Sequence, residues 1–230
     1  MIKKVLRRLL PNRYVKQFSC FQILAKDYGQ YRSIKEGQCV DALGHPIPWY
    51  TYPAIEYLNQ LDFSQFEVFE FGAGNSSIFW AERAATVCSV EDDKTWFEKI
   101  QSRVLDNQKI ICRPSKDAYV EAIVEMERKF DLVIIDGNHR PECARQLPRA
   151  LNDGGVVILD NSDWFKKTAT YIREELDLIQ VDFHGFGPIN NYTWTTSIFF
   201  SRKASLKPLK LQPNFAISGL KYQLIDSEDY

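Results

Sequence analysis

Residues 66–159 alternate short apolar runs with helical stretches, and no other pattern in the chain narrows its fold so far. Phe66–Phe71, Thr86–Val90, Lys109–Cys112, Phe130–Ile135 and Val156–Leu159 read as strands. The fourth is almost wholly apolar, as parallel strands buried on both faces are. Ser76–Arg83, Lys94–Leu105, Ala118–Arg128 and Arg140–Leu151 read as the intervening helices, with Pro148 a candidate kink. This spacing predicts βαβ units and a parallel sheet covered on both faces. After a further helix over Trp164–Leu176, Leu178–His184 and Thr193–Arg202 are joined by a short Gly-Pro-Ile-Asn-Asn loop, which predicts an antiparallel pair. The expected fold is therefore α/β, a doubly wound, mostly parallel seven-stranded sheet with an antiparallel C-terminal hairpin.

The first strand ends in Glu70-Phe-Gly72-Ala-Gly74, and a helix begins near Ser76. Glycines at such a corner let the backbone turn sharply and approach a ligand, and the helix start presents unpaired N–H groups to it. A strand–glycine turn–helix is a nucleotide-cofactor corner in α/β sheets.

Around this domain, placed at residues 51–204, residues 1–50 read as an N-terminal cap of helix and loop, and 205–230 as an irregular tail packed on the domain. Thr51 is the expected N-cap of a helix running to Leu61. Trp49, Tyr50 and Tyr52, just before it, read as core packing of the cap, with pocket lining the alternative. Met1–Leu10 is basic and amphipathic, and reads as a surface helix, with membrane-surface contact the alternative. It lacks the apolar core and cleavage site of a signal peptide, and no run is long enough to span a bilayer. Five widely spaced cysteines without a C-x-x-C pair fit a reducing compartment, and the expected location is cytoplasmic. The formal net charge of −1 leads us to expect no nucleic-acid partner and a small-molecule acceptor.

These features together resemble the class I S-adenosylmethionine-dependent methyltransferases over residues 51–203. In that family an acidic-x-Gly-x-Gly motif, here Glu70, Gly72 and Gly74, serves the methionine end of the cofactor. Asn75 and Ser76 stand at the helix start, in the stretch where the family's third glycine is missing. The acid ending the second strand, Glu91 with Asp92 beside it, matches the one that takes the ribose hydroxyls. Asp117 sits where family members contact the adenine amino group. The rival cofactor is NAD, since Gly72-x-Gly74-x-x-Ser77 also resembles a dinucleotide fingerprint. Glu70 opposes it, because a carboxylate suits an ammonium and is a poor neighbour for a pyrophosphate.

Asp136 and Asp160 directly follow the fourth and fifth strands, and Asn161 follows Asp160. Ligands bind outside the carboxyl ends of parallel strands, so these side chains are expected to face one cleft. Two carboxylates and an amide oxygen are hard donors suited to Mg²⁺. The set resembles the metal-dependent catechol-type O-methyltransferases, which implies Asp136, Asp160 and Asn161 as ligands and Asp136 at the cofactor and reacting atoms as well. The bland alternative is ordinary turn residues. His139 lies where those enzymes place a lysine base, and an imidazole suits that task; His184 is the second candidate. Arg140 is expected to pair with an acidic acceptor or with Asp163, and Trp164 to wall the acceptor site.

The expected function is O-methylation of a small-molecule hydroxyl, a sugar first, because the loop Asn138–Glu142 offers no slot for a flat ring. The alternatives are an N-methyltransferase acting on protein or RNA, and a cofactor-binding module without catalysis.

Overall fold

The computed structural model describes residues 11–210 and 212–219. The expectations for residues 1–10 and for the end of the tail lie outside them. Seven strands form the main sheet: β1 (Glu67–Phe71), β2 (Thr86–Glu91), β3 (Gln108–Cys112), β4 (Phe130–Ile135), β5 (Leu151–Leu159), β6 (Ile179–Gly185) and β7 (Trp194–Phe200). Their spatial order is β3-β2-β1-β4-β5-β7-β6. β1 through β5 pair in parallel. β7 runs antiparallel between β5 and β6. β1 lies between β2 and β4, so the chain order reverses there, and a crevice opens beyond the carboxyl ends of β1 and β4.

The sheet carries a hydrophobic layer on each face. Phe69, Phe71, Val133 and Ile135 point to one, with Tyr119 and Ile123 beneath them. Val68, Leu132 and Ile134 point to the other, with Ile55, Phe79 and Trp80. The alternation of a strand sends successive residues to opposite faces, so only a run apolar at every position can fill both layers. β4 has such a run over Leu132–Ile135, and its bounds, Phe130–Ile135, are those expected from the sequence. β6 closes one edge and carries polar Gln180, Asp182 and His184 there, which discourages further strand pairing.

The helices are α1 (Asn12–Gln22), α2 (Gln30–Glu36), α3 (Tyr52–Leu58), α4 (Asn75–Ala81), α5 (Lys94–Gln101), α6 (Lys116–Glu121), α7 (Arg140–Arg145), α8 (Leu147–Ala150) and α9 (Lys166–Thr170). The single helix expected over Arg140–Leu151 is split in two, with Pro148 in the first turn of α8, where its missing N–H costs nothing. α2 was not expected from the sequence. It is bounded by Gly29 and Gly37 at φ +78° and +62°, left-handed positions that suit glycine. Ser33 fixes it to the next loop, its buried hydroxyl donating to the Val40 carbonyl (2.7 Å) and accepting from the Val40 amide (3.1 Å). The tail returns to the domain: Lys207–Pro208 pairs antiparallel with Leu61–Asp62, and the amides of Asn214 and Ile217 donate to Gln60 and Glu56.

Candidate active site

The site is built from turns at the carboxyl ends of the strands. Gly72 leaves β1 at φ +92°, and a Cβ on it would lie 2.9 Å from Gly137 Cα, in the turn after β4. Those two turns are in backbone contact and leave no room for a side chain between them. At Gly74 a Cβ would meet nothing within 4 Å, so the turn is open on that side. Ser77 lies in the stretch Asn75–Ser77, where the resemblance would place a third glycine, and its hydroxyl has a structural reason. Its buried hydroxyl donates to Glu70 and accepts from the Gly74 amide (3.0 Å), tying turn to strand.

Glu70 itself is wholly buried beneath the turn and is not part of the cavity wall. Ser77 and Ser89 donate to its Oε2, the latter at 2.9 Å, while Oε1 has no partner. Burial pushes its carboxyl up to about 7, against the lowering effect of the serine hydroxyls.

Beyond the turn lies a cavity of about 400 Å³, lined in part by Gly72, Ala73, Gly74, Asn75, Ser76, Glu91 and Asp136. Glu91 is held by backbone amides: Oε2 accepts from Ala73 (3.1 Å), and Oε1 from Asp92 (3.0 Å) and Asp93 (2.9 Å). Burial still holds its carboxyl above the usual range. Trp96 lines the same cavity and donates from Nε1 to the Ala73 carbonyl at 2.6 Å. Asn75 joins the cap to this wall, its amide donating to the Cys39 carbonyl at 2.7 Å. Two expected cofactor contacts lie elsewhere. Asp92 accepts from the side chain of Asn138 (2.9 Å), bridging the ends of β2 and β4. Asp117 is exposed in the first turn of α6, where an acid complements the helix dipole.

A second cavity of about 330 Å³ shares Trp49 and Asp136 with the first. Arg140, Asp160, Asn161, Trp164, Asn190, Tyr192 and Trp194 complete its wall. The expectation of a site without a slot for a flat ring is therefore corrected. The loop Asn138–Glu142 supplies no ring, but the cap supplies Trp49, the β5 end Trp164, and the hairpin Tyr192 and Trp194. Trp164 and Tyr192 face each other with ring centroids 6.4 Å apart. Tyr50 and Tyr52, by contrast, are buried in the core as expected.

The expected Mg²⁺ site does not fit these residues. Arg140 Nη2 donates to Asp136 Oδ1 (3.1 Å) and to the Asp136 carbonyl (2.9 Å). Its Nη1 donates to Asn161 Oδ1 (3.2 Å) and to the Asp160 carbonyl, and Nε to the Gly137 carbonyl (2.9 Å). Asp160 is buried, with Oδ1 taken by Trp194 Nε1 (3.0 Å) and the Thr196 hydroxyl (2.5 Å). A guanidinium thus occupies the place of a cation beside Asp136 and Asn161, and Asp160 Oδ1 is already bonded within the fold. Among the described residues, no group of three or more His, Cys, Asp or Glu side chains converges as metal ligands would.

Desolvation pushes the Asp136 carboxyl up to about 6, with Arg140 opposing the rise. Asp160 is held well above the carboxylate range by burial and by the charge of Asp136. Neither His139 nor His184 lines either of these two cavities. His139 sits in the left-handed region (φ +54°) with its ring against Tyr119, centroids 6.0 Å apart. His184 is exposed on β6 and bonds the Thr195 hydroxyl at 2.7 Å. Asp163 accepts from the Thr195 amide (3.2 Å) and does not pair with Arg140.

No family model matches the chain, and no curated protein does. Solved structures do. A precorrin-6y C5,15-methyltransferase from Geobacter metallireducens GS-15 is 13% identical with a TM-score of 0.51, over 64% of this chain and 87% of that one. With that match and the strand order on hand, the architecture is settled. The fold is that of the class I S-adenosylmethionine-dependent methyltransferases. An rRNA methylase from Streptococcus thermophilus matches at 13% identity and TM-score 0.47, over 64% of this chain and 92% of that one. SMU.776, solved in complex with SAH, matches at 15% and 0.47, over 63% of this chain but only 47% of its own.

The expectation of a small-molecule acceptor with no nucleic-acid partner is withdrawn: the matched structures include an rRNA methylase beside the precorrin enzyme, and a near-neutral net charge does not choose between such acceptors. Net charge is a poor guide here because the charge is unevenly spread: seven of the 29 basic residues and none of the 30 acidic ones fall in residues 1–26. Among the described residues, no helix is long and apolar enough to cross a membrane.

Proposed function

We propose that the chain binds S-adenosylmethionine in the larger cavity and methylates a hydroxyl held in the smaller one. The observation that carries this reading is Asp136, which stands in the wall of both cavities. When bound, the cofactor supplies a methyl group on a sulfonium leaving group. Gly72 and Gly74 give its backbone access, Asn75 and Ser76 complete the wall, and Glu91 accepts from the ribose hydroxyls. Glu91 suits this role because three amides already fix its plane, leaving lone pairs for a diol. Glu70 places a carboxyl beneath the turn that ionises readily when a cation lies above it.

On the acceptor side, a neutral hydroxyl is a poor nucleophile and must lose its proton during transfer. Asp136 takes that proton, and a carboxyl near 6 is mostly ionised at neutral pH yet basic enough to act. Arg140 fixes Asp136 in place, and the aromatic walls hold the acceptor against the methyl carbon. Asp160, Asn161, His139 and Asp117 have no direct part in this step.

The test is transfer from methyl-labelled S-adenosylmethionine to a panel of phenols, sugars and RNA, by wild type and by Asp136→Asn. The reading expects hydroxyl methylation that falls by about 10²- to 10⁴-fold in the variant. Methylation of amines only, or full activity in the variant, would overturn it.

A further inference from the structure

Among the described residues, none of α1 lines either cavity, and α1 buries none of its residues. Tyr14, Phe18 and Phe21 follow one another at spacings of four and three, so they share one helix face. They are 48%, 42% and 60% exposed, and the rings of Phe18 and Phe21 are 6.4 Å apart. An 11-residue helix that buries none of its residues gains little stability alone. Arg13 and Lys16 are exposed beside that stripe.

The sequence before α1 repeats the pattern. Ile2, Val5, Leu6 and Leu9 recur at helical spacing, with Lys3, Lys4, Arg7 and Arg8 between them. Since the first 26 residues hold seven basic side chains and no acidic one, the remainder of the chain carries a formal charge of −8. The charge is thus segregated onto the same segment as the exposed apolar stripe.

From this coincidence we infer that α1 docks on an anionic lipid bilayer surface, drawn there by its own basic residues and by the charge of the sequence before it. The headgroup layer offers both things the segment presents a need for: negative charge for the lysines and arginines, and an apolar boundary for the aliphatic and aromatic stripe. A polynucleotide would satisfy the charge and leave the aliphatic residues in water. Basic side chains recur throughout this stretch of sequence, which suits a position at the headgroup layer.

The test is co-sedimentation of the full chain with vesicles of phosphatidylcholine alone and with about one-third phosphatidylserine. The expected result is partitioning about tenfold stronger onto the anionic vesicles, abolished in ~0.5 M salt. Phe18→Ser with Phe21→Ser, and separately Lys3→Ser with Lys4→Ser, each weaken it severalfold while the melting temperature stays constant. Equal partitioning onto both vesicles, no partitioning, or unchanged partitioning of the variants would overturn the inference. So would tighter binding to a single-stranded RNA oligonucleotide than to the anionic vesicles.

Discussion

Arg140 and Asp136, four residues apart across the turn after β4, form an ion pair with 3.1 Å between Nη2 and Oδ1 and with both side chains largely out of solvent. The same guanidinium reaches backbone carbonyls of Asp136, Gly137 and Asp160, so it joins the turn after β4 to the turn after β5. Those turns carry the acidic residues that suggest a metal site in the sequence. Arg140 turns that acidic corner into a fixed, cation-filled one.

The first consequence concerns metal. Methyl transfer should proceed equally in EDTA and in added Mg²⁺, because the guanidinium already holds the oxygens of Asp136 and Asn161. Rate measurements in the two buffers check this. An activity that disappears in EDTA and returns with Mg²⁺ would contradict it.

Glu70 gives a stability prediction. Burial raises its pKa from an unfolded value of 4.5 to about 7, so the folded state holds its proton more tightly than the unfolded one does. Its contribution is therefore fully present below the unfolded pKa and is lost as pH rises to about 7. Glu70→Gln keeps a neutral side chain at every pH. The variant should match wild type near pH 4 and exceed it above neutrality, by up to about 3 kcal/mol. Denaturant melts at the two pH values provide the comparison, and an equal gap at both would contradict the assignment.

A third prediction separates the candidate bases. With the Asp136 carboxyl near 6, kcat/KM should climb with pH until that group has ionised and then level off. Asp136→Asn should remove the climb along with most of the activity. His139→Ala should leave the profile in place, because His139 packs against Tyr119 and lines neither cavity. A profile that flattens in the histidine variant instead would return the base role to His139.

Much of the fold was legible in the chain because the central strands are buried on both faces, and an apolar run such as Phe130–Ile135 leaves little else to form. The hairpin was legible from its short loop. What escaped notice depends on contacts between distant residues. α2 is only seven residues long and is set by glycine caps and by Ser33 bonding Val40. Trp49 looks like Tyr50 and Tyr52 in the sequence, yet it is 45% exposed in the cavity walls while they lie in the core. His139 is close to Asp136 along the chain, but its left-handed backbone carries the ring away. Arg140 was linked to Asp163 or to the acceptor, and no local pattern announces a side chain whose partners are carbonyls from two different strand ends.

The central claim is the cofactor, and calorimetric titration of the protein with S-adenosylmethionine in EDTA tests it most directly. The account predicts micromolar binding without metal, weakened by at least about tenfold, or 1.4 kcal/mol, in Glu91→Gln. Absence of binding, or affinity unchanged in a folded Glu91→Gln variant, would contradict it and make NAD the next ligand to titrate.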